Sequence, residues 1–255
     1  MVIMNSRRFT LKNSEERGFT IIELMIATTV FSLILLLSMA GIMQITRLYY
    51  RGVTQASTQE AARSIADEFS QSIQFSNSDV YYPTGDDANP TGPSVDVGGE
   101  PIGFICIGGK RYTFQIDRQL KIDNPDSTIK QTSTGLWVDN PKAADGTPLG
   151  CAGSVVVAPL DLTDSNAVDD SEGLELLDEN MRLTKLSIEP AVATSDSIWK
   201  IDIAVAYGDE DLLEVLDNGT PGDTSDDRKV CRPSGPGIEF CAVSEISTTV
   251  RRRVE

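Results

Sequence analysis

Twenty consecutive residues without a charge, Leu24 to Met43 (LMIATTVFSLILLLSMAGIM), constrain this chain more than any other feature. As an α-helix rising about 1.5 Å per residue, such a run is roughly 30 Å long, the thickness of a bilayer's hydrocarbon core. Ahead of it, Arg7, Arg8, Lys12 and Arg17 against Glu15 and Glu16 leave residues 1–18 at +2. Residues 19–50 are neutral, with Glu23 set against Arg47, so the chain's net charge of −16 resolves into −18 over residues 51–255. A basic flank before the span and an acidic segment after it put the short N-terminal side in the cytoplasm and the bulk outside. The four cysteines then lie where disulfides persist.

Three readings of residues 1–43 compete. The segment serves as a Sec signal peptide cut after the small-x-small site Ser38-Met39-Ala40, or as a plain membrane anchor. Neither explains Glu23, a carboxylate at the entrance of the apolar run. A carboxylate within a transmembrane segment costs about 2.5–3.5 kcal/mol on insertion scales, so it calls for a partner or a task.

The third reading rests on Glu16-Arg17-Gly18-Phe19-Thr20-Ile21-Ile22-Glu23-Leu24-Met25-Ile26-Ala27. This stretch resembles the processing motif of the type IV pilin family: a short basic leader ending in glycine, a phenylalanine opening the mature chain, a glutamate five residues in, and an apolar helix. The resemblance implies cleavage between Gly18 and Phe19 by a prepilin peptidase, with N-methylation of Phe19. It makes residues 1–18 a leader peptide and leaves 237 residues of the 255. The new α-amine would sit at the positive end of a helix dipole and seek an anion. In the family that anion is the glutamate, here Glu23, pairing with the Phe19 amine of a neighbouring subunit. A buried pair of this kind fixes register more reliably than it adds stability. Other pilin subunits, the prepilin peptidase, a pilus assembly platform and the inner membrane follow as expected partners. The chain would be a single-pass, N-in protein of the cytoplasmic membrane before assembly, and part of a surface pilus afterwards.

Residues 19–43 are thus expected to form the transmembrane and filament-core helix, and residues 44–76 an amphipathic stem. Within 53–76, Ala62, Ile65, Ala66, Phe69 and Ile73 recur at three- and four-residue spacing, the stripe of a helix lying on a sheet. Gly52 marks a flexible point between the two. The proline that many major pilins carry in this helix is absent.

Residues 77–255 read as an extracellular β-rich head. Asp79 to Pro101, with four prolines and several glycines, reads as a surface loop. Ile102–Ile107 and Arg111–Ile116 flank Gly108-Gly109 as a hairpin. Leu136–Val138 and Ser154–Ala158 are further strands. Met181–Ile188 and Trp199–Tyr207 alternate apolar and polar residues, as half-buried antiparallel strands do. One long helix and six or so strands make an α+β fold with the stem packed on an antiparallel sheet.

A second resemblance rests on Leu176–Leu186, on the strand ending Val205-Ala206-Tyr207-Gly208, and on a C-terminal cysteine followed by Ser247–Arg253. These look like the large minor pilins and pseudopilins of the W and J kinds, which belong to initiating or tip complexes. The expected function is a minor pilin serving adhesion, twitching motility or DNA uptake. A pseudopilin of a type II secretion system would use the same N-terminal chemistry. A secreted binding domain with an ordinary signal peptide is the alternative of another class.

Cys106, Cys151, Cys231 and Cys241 allow three pairings. The short Pro- and Gly-rich Cys231–Cys241 loop suggests one bridge, with Cys106–Cys151 the other, and a C-terminal disulfide loop also recurs among pilins. The chain has no histidine, which excludes a Ser-His-Asp device, a His-ligated zinc site and a histidine-held haem. Nor is there a CxxC motif, a nucleophile elbow or a phosphate-binding glycine loop. No cofactor, metal site or enzymatic activity is expected. The acidic stretches Asp161–Glu172 and Asp217–Asp227 carry oxygen ligands of the kind calcium takes, without EF-hand spacing, and read as solvated loops. Arg251-Arg252-Arg253 is a weak footprint for nucleic acid on so acidic a chain, and reads as charge balance against acidic neighbours.

Overall fold

A computed structural model describes residues 18–76, 80–81, 95–97, 100–119, 135–142, 147, 160, 172–192, 195–216 and 228–253. The chain divides into two compact units, Met1–Thr46 and Arg47–Glu255. One helix, α1 (Ile21–Phe75), runs through the boundary. It continues through Gly41 and Gly52, so the helix is unbroken at Gly52, the point where flexibility was expected. No proline interrupts the hydrogen-bond ladder, and nothing else in the sequence breaks it.

In the first unit, all described residues are exposed, and exposure extends along α1 as far as Val53. In the second unit the remainder of α1 turns a buried face to the sheets. Thr54, Thr58, Ala61, Ala62, Ile65, Ala66, Phe69 and Ile73 line it. The five apolar positions expected from the spacing are all buried. Thr54 and Thr58 extend the stripe because their hydroxyls need no outside partner: Thr58 donates to the Thr54 carbonyl at 2.8 Å, and Thr54 to that of Tyr50 at 3.1 Å.

Eleven strands are seen among the described residues, more than the six or so expected. The larger sheet contains β1 (Val80–Tyr81), β2 (Val95–Val97), β3 (Glu100–Ile107), β4 (Lys110–Phe114), β5 (Leu136–Asp139) and β6 (Leu174–Glu175). Its order is β1-β3-β4-β5-β6, with β2 also on β3, and every pairing is antiparallel. The stretch 79–101 is therefore not simply a loop. It pairs twice with β3 in spite of its prolines, because short β-branched runs at Val80 and Val95–Val97 escape them. The hairpin at Gly108-Gly109 forms with Ile107 opposite Lys110, and Gly108 takes the left-handed φ of 67° that the two-residue turn requires. β4 ends at Phe114, two residues sooner than expected, and Asp117 turns the chain at φ 66°. The strand expected at Ser154–Ala158 lies outside the described residues.

The second sheet is β11-β8-β7, from β7 (Met181–Val192), β8 (Ser195–Tyr207) and β11 (Ala242–Arg251). The alternation over Met181–Ile188 is not continuous. A bulge at Thr184 sets Leu183 opposite Val205 and Lys185 opposite Ala204, shifting the phase by one residue. Met181 and Leu183 before the bulge, and Leu186 and Ile188 after it, therefore share the buried face with Trp199, Ile201, Ile203 and Val205. A small hairpin of β9 (Leu213–Leu216) and β10 (Arg228–Cys231) completes the set.

A single core joins α1 to both sheets: Ile65, Phe69 and Ile73 pack with Ile105, Tyr112, Phe114 and Leu136 from one, and with Leu183, Leu186, Ile201 and Ile203 from the other. Polar groups at its edge are matched. The Tyr112 hydroxyl lies 2.6 Å from the Ser72 hydroxyl and donates to Glu68 at 3.0 Å, while Lys110 donates to the same Glu68 oxygen at 2.6 Å. Burial opposes ionisation of Glu68, but Lys110 and the two hydroxyls outweigh it and hold the carboxyl below its ordinary range. Directly across the β4–β5 ladder, Arg111 grips the buried Asp139 with two hydrogen bonds, of 2.9 and 2.5 Å.

Candidate functional site

The residues singled out by sequence sit at the start of α1. Gly18, Phe19 and Thr20 precede the helix in non-helical conformation, and Phe19 is 86% exposed. Thr20 is the residue sequence reasoning missed. Its carbonyl accepts the first helical bond, from the Leu24 amide at 3.2 Å, which makes it the N-cap. Its amide and its hydroxyl both donate to one carboxylate oxygen of Glu23, each at 2.9 Å. The Glu23 amide donates back to the Thr20 hydroxyl at 3.3 Å. This is a capping box, whose signal, Thr-x-x-Glu ahead of an apolar run, stands in the sequence as Thr20-Ile21-Ile22-Glu23. A carboxylate in the first turn also meets the positive end of the helix dipole.

Glu23 therefore has a task within its own subunit: it orders the first turn of the helix. Its charge remains available at the surface, since the capping bonds go to one of its two oxygens.

From Leu24 to Met43 the helix shows only apolar and small side chains, and they are uncovered. Leu24 is 60% exposed and Leu37 75%. A soluble core helix of this composition would be buried, so the face calls for lipid or for other apolar helices. Three of the four hydroxyls within it are spent on the helix itself: Thr28 donates to the Met25 carbonyl at 3.0 Å, Thr29 to that of Ile26 at 2.8 Å, and Ser32 to that of Thr28 at 2.8 Å. Such closure is what a hydrocarbon environment requires of polar groups.

The family described as the prokaryotic N-terminal methylation motif matches residues 13–39. The chain carries that motif. The motif indicates a precursor like those of type IV pilins or pseudopilins, and implies in general prepilin peptidase processing and assembly with other pilins. The methylation motif spans Gly18, Phe19, Thr20 and Glu23 and most of the uncovered apolar face. It does not reach the head, and no curated protein and no solved structure matches the chain.

Of the cysteines, Cys231 and Cys241 form a disulfide, with Cα atoms 5.8 Å apart across ten residues. Cys106 is also disulfide-bonded; Cys151, its expected partner, lies outside the described residues. Both acidic loops weighed for calcium fall outside them too, except Glu172, whose carboxylate is paired with Lys142 at 2.5 Å. Among the described residues no cluster of acidic or cysteine side chains is arranged to hold a metal. The arginine run ends the second sheet. Arg251 closes β11, and the Arg253 guanidinium lies 5.5 Å from the Phe75 ring centre at the end of α1. That cation answers the negative end of the helix dipole.

Proposed function

We propose that this chain is a minor pilin, a structural subunit of a type IV pilus cleaved after Gly18, N-methylated on Phe19 and assembled through its N-terminal helix into an initiating or tip complex. The observation that carries the reading is the capped Thr20–Glu23 turn, which lies directly after the Gly18–Phe19 junction and opens an uncovered apolar helix. The bonds to Thr20 hold the carboxylate in the first helical turn, where a neighbour's Phe19 amine can be met. The large disulfide-bearing head supports the minor role, and the second resemblance, at Leu176–Leu186 and Ser247–Arg253, points the same way. In this reading the protein is not an enzyme and uses no cofactor. It sits N-in in the cytoplasmic membrane before assembly.

N-terminal sequencing of the protein from its native membrane tests the proposal. Methyl-Phe19 supports it; a chain beginning at Gly41 would identify a cleaved signal peptide and end it. Immunolabelling then separates pilus from secretion pseudopilus, since a pilin is found on surface filaments.

A further inference from the structure

Just past the apolar span, α1 carries two adjacent tyrosines, Tyr49 and Tyr50, exposed by 67% and 44%. Their rings meet edge-on at 5.9 Å, and Tyr50 meets Phe240 at 5.3 Å. Phe240 arrives from the far end of the chain. The Cys231–Cys241 disulfide closes its loop, and the Glu239 carbonyl lies 3.4 Å from the Thr54 hydroxyl, which sets the loop beside α1. Phe240 nevertheless remains 43% exposed, outside the core. A single exposed ring needs no explanation, but a row of three, each touching the next, does.

We infer that Tyr49, Tyr50 and Phe240 form a collar that rests in the headgroup layer of a phospholipid membrane, so that the disulfide loop is a second membrane contact of the unassembled subunit. This rests on the reading of Leu24–Met43 as a membrane span. Tyr49 and Tyr50 stand six and seven residues beyond Met43. At helical rise that is about 10 Å, which carries them from the edge of the hydrocarbon into the headgroup region. Tyrosine suits that layer, with an apolar ring and a hydroxyl that stays wet. The charge agrees. Arg47 and Arg51 flank the tyrosines on α1, and Arg232 is exposed in the disulfide loop, on a chain that is otherwise strongly acidic beyond residue 50. Arginines at this level pair with lipid phosphate, and their stems lie along the apolar boundary. Glu239 is the acidic side chain of the same loop and is only partly exposed.

The test uses the full chain reconstituted into vesicles of phosphatidylcholine with a minor share of phosphatidylglycerol. Phe240→Trp places a reporter on the collar, against native Trp137 and Trp199, which are buried. Lipid brominated high on its acyl chain should quench roughly half of the added emission and leave the native emission unchanged. Tyr49→Trp, at an exposed position, should respond in the same way and guards against misfolding of the first variant. Flotation with the vesicles reports the span independently. Protein that floats while neither new tryptophan is quenched overturns the collar and leaves the span standing; protein that fails to float overturns both. Emission that follows protein-to-lipid ratio and ignores bromine assigns the rings to a second copy of the chain, and also overturns the proposal.

Discussion

Thr20 and Glu23 satisfy one another across the first turn of α1: the threonine amide and hydroxyl both donate to the glutamate, and the glutamate amide donates to the hydroxyl. The residue expected to join one subunit to the next is thus first engaged at home. Capping needs an acceptor oxygen, whereas pairing with an amine needs a negative charge, so the two tasks can be separated by mutation. Thr20→Ala should cost the first turn about 1 kcal/mol, and the amides of Ile21–Leu24 should exchange hydrogen several-fold faster in detergent micelles. Glu23→Gln should leave that exchange close to wild type yet impair incorporation into filaments, as Glu23→Ala or Glu23→Val should. Filaments containing Glu23→Gln at wild-type levels would remove the charge from the mechanism.

Glu175 gives the head a pH dependence. Burial pushes its carboxyl up to about 7, although the amides of Leu136, Leu177 and Gly135 donate to it and favour the charged form. The folded state therefore holds this proton more tightly than the unfolded chain, where the group titrates near its ordinary value of 4.5. Its contribution is complete below the unfolded value and fades as pH rises through about 7, by at most about 3 kcal/mol. With no histidine in the chain, little else titrates in that window. The urea midpoint of the wild type should fall between about pH 5 and pH 8, and that of Glu175→Gln should stay level.

Asp139 and Arg111 are a buried bidentate pair in register across β4 and β5. Removing one partner leaves the other charge without its counterpart, so Asp139→Ala should destabilise the head by about 3 kcal/mol or more in urea. Asp139→Leu combined with Arg111→Met should recover much of that loss. A double variant no better than the single one would show that Arg111 is held mainly by its other partners.

The Cys231–Cys241 bridge closes a ten-residue separation. Replacing both cysteines with serine should lower stability by about 2–3 kcal/mol, mostly through a less constrained unfolded chain. The loss should appear as a lower midpoint in thermal melts under non-reducing conditions, and should vanish when both proteins are compared in reductant.

The N-terminal half of this architecture was legible because single residues carry it. An uncharged run, a glycine, a phenylalanine and a glutamate in fixed order need no tertiary context, and Ile65, Phe69 and Ile73 report one helix face by spacing alone. The head was less legible where pairing depends on distant chain. Val80 and Val95–Val97 become strands because β3 offers them an edge, which local proline content conceals. Strand β11 escaped notice because its exposed face is serine, threonine and glutamate, and only Ala242, Ser244 and Val250 are buried along it. Its ten-residue register against β8 is a tertiary fact. Thr20 was readable and overlooked: Glu23 drew notice as an anomaly in an apolar run, although it also completes a local motif.

The bulge at Thr184 has a consequence for insertion and deletion. Without Thr184 the strand would read Met-Arg-Leu-Lys-Leu-Ser-Ile, an unbroken alternation that keeps all four apolar residues on the core side. A one-residue deletion there straightens β7 and keeps its face. The same deletion at Asp202 in β8 would turn Trp199 and Ile201 outward, or Ile203 and Val205, because β8 pairs without a spare residue from Trp199 to Val205. Between Met181 and Ile188 length variation is thus absorbed at Thr184, where the chain already carries a spare; the other irregularity of this ladder lies between Pro190 and Val192, beyond the buried stripe.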